Sequence, residues 1–254
     1  MIKACFFDMD GTLLSHTTNS IPKSTLYTLA KLKENGIKIV LATGRHLLEL
    51  KDLPGWDIPF DAYILLNGNL CLDENKNVLF SNPINPKDSK TLISLFNQKK
   101  FPIMLVEEKR FYCNYINHHV EIAQKAISTP LPDVDVYKGA PIYQVLPYIE
   151  DGSELASLLE NCNITRWHKY GLDINAKNDG KVSGIKQFLK LHNIAQNEIM
   201  AFGDAENDQK MLHFAHIGVA MGNSDENTKK CADFISKDID EDGIYYACKH
   251  FNLI

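Results

Sequence analysis

Three short apolar runs, IKACFF (2–7), IKIVLA (37–42) and IMAF (199–202), each break off at polar or acidic residues. Continuous apolar runs of this length fit strands covered on both faces, as in a parallel sheet. Helical stretches separate them, so the order strand–helix–strand predicts an α/β fold with right-handed crossovers. Between the first two runs, Leu26, Leu29 and Leu32 are predicted to share one helix face. Asn19 and Ser20 are its candidate caps, and Asn35-Gly36 its stop. AYILL (62–66) reads as a third buried strand, and NLCLDENKNVLF (69–80) as a hairpin turning over Glu74 to Asn77.

From Pro83 the texture changes. NPINPK (82–87) is a proline-punctuated boundary, followed by a predicted helix over 87–99 and strands near IMLVEE and RFYCNY. A helix near HHVEIAQKAI, a strand near IYQVLPYI, a helix near GSELASLLE and strands near TRWHKYG and LDINA complete an α+β module. It ends at the turn-like Asn178-Asp179-Gly180. GKVSGIKQFLKLH is then helical, IMAFGD is strand into loop, and NDQKMLHFA is helical. IGVAM and ADFIS are short strands before a terminal helix. The organisation expected is a discontinuous, Rossmann-like parallel-sheet core with helices on both faces (1–83 and 181–254). An inserted α+β cap (84–180) interrupts it.

A chain of 254 residues can bury a substantial core, and 44% hydrophobic with 23% charged residues is ordinary for a soluble globular protein. With 27 basic against 32 acidic residues the formal charge is −5, and no basic run stands out. That argues against a nucleic-acid or membrane partner. No apolar stretch approaches the roughly 20 residues of a membrane-spanning helix. MIKACFF runs straight into an acidic pair, so no cleaved signal peptide is expected. Six scattered cysteines without a CxxC pair read as reduced thiols in a cytoplasmic protein. Oligomeric state is not readable.

Ligands of open α/β sheets bind beyond the carboxyl ends of the strands. Four clusters lie at such ends or at a helix start. Asp8 and Asp10 follow IKACFF, and Thr43-Gly44-Arg45 follows IKIVLA. Gly203-Asp204 with Asn207-Asp208 follows IMAF, and Lys181 opens a helix. Taken singly, each has a plain reading: a turn, a solvated arginine, a surface lysine, an acidic loop with a helix cap. Together they suit phosphoryl transfer. Asp8 is the candidate nucleophile for an aspartyl-phosphate, with Asp10 as general acid and then base. The Thr43 hydroxyl, the backbone N–H beside it at Gly44, and Lys181 at a helix N-terminus are candidate phosphate ligands. The carboxylates of Asp8, Asp204 and Asp208 form the hard oxygen set that Mg²⁺ prefers. Gly11 lets the chain turn sharply beneath the phosphate.

FDMDGTLL, LATGR, the Lys181 helix and GDAENDQKML resemble the four motifs of the haloacid dehalogenase-like hydrolase superfamily. LLNGN (65–69), IGVAMGNSDENTKKCAD (217–233) and DGI (242–244) resemble its Cof-type phosphatases, which carry a large α/β cap between the second and third motifs. The resemblance covers both core segments closely. The cap matches mainly in size, position and LDI (172–174). It implies that Asp8 is nucleophile, Asp10 acid/base, and Thr43 and Lys181 phosphate ligands. It also implies Mg²⁺ on the Asp8 side chain, the Asp10 carbonyl and Asp204, with Asp208 supporting the metal shell or Lys181 and Asn207 touching the phosphate. Two departures stand out. The usual Lys-Gly-x-Ala is Lys181-Val182-Ser183-Gly184, and the usual Asn-Gly-Ala is Asn67-Gly68-Asn69. Neither removes a reacting group, which points to tuning of the substrate rather than loss of activity.

The pair His118-His119 invites a metal reading, but adjacent helical residues point apart, which favours a surface explanation. Trp167, His168 and Tyr170, like Arg110, Tyr112 and Tyr115, either meet a ring by stacking or pack the cap. The expected function is Mg²⁺-dependent hydrolysis of a small phosphorylated metabolite, foremost a sugar phosphate. A phosphotransferase or mutase differs by yielding an isomerised phospho-sugar in place of inorganic phosphate. A receiver-type module that stores phospho-aspartate is shorter and lacks a lid, and an acid/base two residues from the nucleophile promotes hydrolysis.

Overall fold

The computed structural model describes every residue of the chain except Ser128 and Asp179. The predicted turn at Asn178-Asp179-Gly180 therefore lies partly outside the described residues. The chain divides into two compact units, Met1–Ser81 with Asp179–Ile254, and Asn82–Asn178. Strands β1 (Ala4–Phe7), β2 (Lys38–Ala42), β3 (Ala62–Leu65), β4 (Leu70–Asp73) and β5 (Val78–Ser81) come first. The inserted unit holds β6 (Ile103–Val106), β7 (Phe111–Cys113), β8 (Gln144–Pro147), β9 (Cys162–His168) and β10 (Gly171–Ala176). Strands β11 (Ile199–Gly203), β12 (Ile217–Ala220) and β13 (Phe234–Ile235) follow.

The first unit is built on an eight-stranded sheet in the order β13-β12-β11-β1-β2-β3-β4-β5. Strands β13 to β3 run parallel, while β4 and β5 are antiparallel, so the predicted hairpin forms one flank of the sheet. Alternation along β1 sends Ala4 and Phe6 to one face, where they pack with Val182, Ile185, Phe188, Met211 and Leu212. Those residues belong to helices Lys181–His192 and Gln209–Phe214. On the other face, helix Lys23–Glu34 packs against β2 and against the terminal helix Gly243–His250. Both faces of the parallel strands are covered, which is why these strands read as unbroken apolar runs.

The chain leaves β1 toward β2 and β3 on one side and returns through β11, β12 and β13 on the other. The direction reverses between β1 and β11, the place where an open α/β sheet parts to receive a ligand. Phe7 pairs in register with Leu41 and with Phe202. The residues that follow these three therefore emerge side by side.

Some local expectations needed correction. The first helix starts at Lys23 behind Pro22 and has no side-chain cap; Asn19 instead takes φ 47° in the preceding turn, and neither it nor Ser20 caps the helix. Its buried stripe is Thr25, Thr28, Leu29 and Leu32, while Leu26 is exposed. Leucines three apart drift round a helix of 3.6 residues per turn, and the 3–4 spacing stays on one face. The third strand stops at Leu65, because Leu66 (φ 51°) and Asn67 (φ 52°) turn into the left-handed region.

The second unit is a five-stranded antiparallel sheet in the order β7-β6-β8-β10-β9. Ile103, Leu105, Val145 and Ile174 from its strands pack against Leu92 and Phe96 of helix Pro86–Gln98 and Leu155 of helix Ser153–Leu158. Its conspicuous aromatic residues pack among themselves. His119 stacks on Tyr170 at 4.3 Å, and Trp167 meets Tyr148 edge-on at 6.5 Å. Among the described residues no histidine joins a group with metal-ligand spacing. Also among them, no helix is long and apolar enough to cross a membrane.

Candidate active site

Asp8 follows β1, Thr43 follows β2 and Asp204 follows β11, so parallel pairing alone gathers three of the four predicted clusters. Lys181 brings the fourth. It is the first residue of its helix, and its buried Nζ donates to Asp8 Oδ1 and, at 2.6 Å, to Asp208 Oδ1. The glycine expected at 182 is Val182, which packs in the core. The close approach falls instead at Gly184, where an added Cβ would stand 2.5 Å from Ile64. Asn69, the other departure, is buried, and its Nδ2 donates to Leu66 O at 3.0 Å, so its polar group is satisfied within its own turn.

Asp8, Asp204 and Asp208 each offer a carboxylate oxygen within 4.8 Å of the others. Three carboxylates against the one Lys181 ammonium leave an excess of two negative charges. The cluster holds its protons accordingly. Burial pushes the Asp8 carboxyl well above the usual carboxylate range; the Asp208 charge adds to this and Lys181 opposes it. Burial alone would pull Lys181 down, but the charges of Asp208 and Asp8 outweigh it and raise its pKa. A divalent cation would offset this excess, and an all-oxygen set of carboxylates suits Mg²⁺.

The three acids are not equivalent. Asp208 is fully engaged, with Oδ1 accepting from Lys181 and Oδ2 accepting from the N–H groups of Asp204 (3.0 Å) and Ala205 (3.1 Å). It fixes the lysine and the loop after β11. Asp204 accepts from the Thr12 hydroxyl at 2.8 Å through Oδ1, and it lies against Gly11. Gly11 has φ +78°, and a Cβ there would sit 2.2 Å from Asp204 Oδ2, so only glycine fits this turn.

Asp204 supplies a test. Burial pushes its carboxyl up to about 6, with Thr12 working against the shift and Asp208 with it. An acid whose pKa rises on folding binds its proton more tightly in the native state. Its stabilising contribution is therefore present at low pH and lost as pH climbs from about 4 to about 6. Asp204→Asn removes the titration. In metal-free buffer, calorimetry is expected to give the variant a growing advantage in melting temperature over wild type through that window. The advantage should persist at pH 7. A difference that stays flat with pH would show that Asp204 carries no such cost.

Asp10 points to a different partner. Arg45 Nε and Nη2 donate to its two oxygens at 2.7 and 2.8 Å, a bidentate pair. Arg45 is placed by its own surroundings. Its N–H donates to Thr43 Oγ1 at 3.1 Å, and the next helix opens with His46 N donating to Glu49 Oε2 at 2.6 Å. Buried Thr43 uses its N–H on Ile64 O (2.8 Å), and its hydroxyl oxygen accepts from Arg45, leaving the hydroxyl proton for another acceptor. Asn207 is exposed and donates to Asn67 Oδ1 at 3.2 Å, and Asn67 also borders Gly44. The sequence places Arg45 in the Thr43-Gly44-Arg45 cluster and Asn67 in the Asn67-Gly68-Asn69 motif but gives neither a role. The available signals were the arginine of LATGR, directly past a strand beside β1, and the Asn-Gly pair in LLNGN.

A family model described as haloacid dehalogenase-like hydrolase matches residues 5–248. A curated relative from Bacillus subtilis (strain 168), named "Putative phosphatase YkrA", is 32% identical over 256 residues, covering 99% of this chain and 98% of its own. The solved structure of BT1666 from Bacteroides thetaiotaomicron, described among phosphatases of the haloalkanoate (HAD) superfamily, has 34% identity and a TM-score of 0.89. It covers 100% of this chain and 96% of its own. That of BT4131, described as an HAD subclass IIB sugar phosphatase, has 35% identity and a TM-score of 0.82, covering 99% and 100%.

Proposed function

The chain belongs to the haloacid dehalogenase-like hydrolase family and is a phosphatase of Cof type, and on that premise we propose that it hydrolyses sugar phosphates with Mg²⁺ through an aspartyl-phosphate on Asp8. The observation that carries this reading is the buried Asp8 at the end of β1, bonded to Lys181, with Asp204 and Asp208 beside it.

In the first step an Asp8 oxygen attacks phosphorus while the bond from phosphorus to the leaving oxygen breaks. Asp10 gives that oxygen its proton. In the second, water attacks the phosphoryl group and loses a proton to Asp10, and the bond to Asp8 breaks, releasing inorganic phosphate. Lys181, the Thr43 hydroxyl, the Gly44 N–H and Asn207 bind phosphoryl oxygens and hold the group in line. The Asp8 and Asp204 carboxylates and the Asp10 carbonyl are the ligands we assign to Mg²⁺, with Asp208 bracing Lys181 and the loop. When bound, the ion neutralises the negative charge that gathers on the transferring group. Arg45, gripping both oxygens of Asp10, fixes that side chain and must free one oxygen for proton transfer.

All of these groups come from the unit Met1–Ser81 with Asp179–Ile254, which we take as the catalytic core, and Asn82–Asn178 as the cap. The sugar-phosphate assignment rests on the similarity to BT4131 across nearly the whole chain. Six free thiols support a reducing, cytoplasmic setting.

The test is a panel of phosphorylated metabolites with Mg²⁺ and with EDTA. Phosphate release is expected to be greatest for hexose and pentose phosphates and lost with EDTA. No release from any of them would overturn the sugar-phosphate assignment, and an isomerised phospho-sugar without free phosphate would identify a mutase.

A further inference from the structure

The segment MGNSDE (221–226) has no part in the chemistry above, yet one of its side chains grips the loop that carries it. Asn223 Nδ2 donates to the carbonyl of Gly11 at 2.8 Å. Its Oδ1 accepts from Ile239 N–H at 3.1 Å. The residue before it is also tied back, with Gly222 N–H donating to Lys237 O at 2.9 Å. The amide of Asn223 thus joins two distant pieces of backbone, the turn after β1 and the stretch 237–239 ahead of the terminal helix.

Gly11 is the residue whose freedom matters here. Its N–H donates to Leu14 O at 2.9 Å, so the Asn223 bond pins its remaining polar group. A glycine at φ +78° has no side chain to restrict it. The Leu14 bond holds the Asp10–Gly11 peptide, which carries the Asp10 carbonyl, and the Asn223 bond holds the Gly11–Thr12 peptide, so the two peptide units on either side of the glycine are tied and do not turn independently. The same turn lies against Asp204, which Thr12 holds from one residue further on.

We infer that Asn223 is a positioning residue for the divalent-cation site. It holds Gly11 so that the Asp10 carbonyl and the Asp204 carboxylate present their oxygens together. This rests on the reading of the site as a Mg²⁺ centre. Groups that orient metal ligands without touching the metal are worth roughly 10–100-fold in affinity.

Two variants separate positioning from plain bracing. Asn223→Ala removes the bond to Gly11. Asp240→Ala removes another tie between the same parts of the chain, the 3.1 Å bond from the Ser15 hydroxyl, and leaves Gly11 untouched. Titration calorimetry with Mg²⁺ alone on the full-length proteins is expected to show affinity weakened about tenfold in Asn223→Ala and unchanged in Asp240→Ala. Saturating Mg²⁺ is expected to bring turnover of Asn223→Ala back toward wild type, with KM for substrate unaltered. Should Asn223→Ala fail to fold, Asn223→Ser, too short to span to Gly11, carries the same expectation. Equal Mg²⁺ affinity in variant and wild type overturns the inference, as does equal weakening in the two variants. A wild-type protein that binds no Mg²⁺ overturns the functional reading and this inference with it. The two failures are thus distinct.

Discussion

Asp8→Asn is expected to reduce phosphate release by about 10⁴–10⁶-fold, the scale on which removal of a nucleophile acts in covalent catalysis. The substitution is nearly isosteric. The amide oxygen can still accept from Lys181, so the lysine stays bonded to Asp208 and the site keeps its shape. The neutral amide cannot attack phosphorus. Because burial and Asp208 already disfavour the Asp8 charge, losing it is not expected to destabilise the fold. The measurement is phosphate release beside thermal unfolding, with mass spectrometry to detect the phosphorylated wild type after rapid quenching. Turnover above about one per cent of wild type in a folded variant would remove Asp8 from the nucleophile's role.

Lys181→Met tests the same contact from the other side. The lysine side chain is 0% exposed, Asp208 likewise, and Asp8 7%. Removing one partner of a buried ion pair leaves the other without compensation, which costs about 3–5 kcal/mol. Methionine fills much of the space but none of the charge. The penalty carries a sign in pH. With the ammonium gone, the native pKa of Asp8 rises further, so stability present at low pH is lost as pH rises through that value. Urea unfolding in EDTA is expected to show a larger deficit at pH 8 than at pH 5. A deficit under about 1 kcal/mol at pH 8, or one independent of pH, would show that the pair does not hold the site together. Turnover is expected to fall as well, since Lys181 also binds the phosphoryl group in the proposed mechanism.

The core was legible where a local signal has a global meaning. An apolar run ending in a carboxylate names a strand end, and parallel pairing then brings Asp8, Thr43 and Asp204 together without further information. Lys181 was legible as a helix start, although its two bonds lie 173 and 27 residues away in sequence. What stayed hidden were pairings between side chains whose neighbours depend on register. Arg45 reads as a solvated arginine until β1 and β2 lie side by side, and only then does Asp10 come within its reach. Whether Asp208 supports the metal shell or Lys181 is open in the sequence, and only the structure shows the lysine and the two backbone N–H groups bonded to it. Asn223 gave no local sign of its reach to Gly11, since both its bonds are to backbone atoms and any residue type supplies those. Helix details failed for a simpler reason: Pro22 precedes the first helix at the position where an asparagine or serine cap was expected.

The surplus of negative charge at the end of β1 has a historical consequence as well. On the proposed mechanism stability is given up there for chemistry, so a descendant that no longer needs the chemistry is under no constraint to keep the deficit. Such a lineage would drift toward neutral residues at 8 and 204 while keeping Lys181 as the partner of buried Asp208. Heat tolerance gained by neutral residues at 8 and 204 would then be the fossil mark of an abandoned trade.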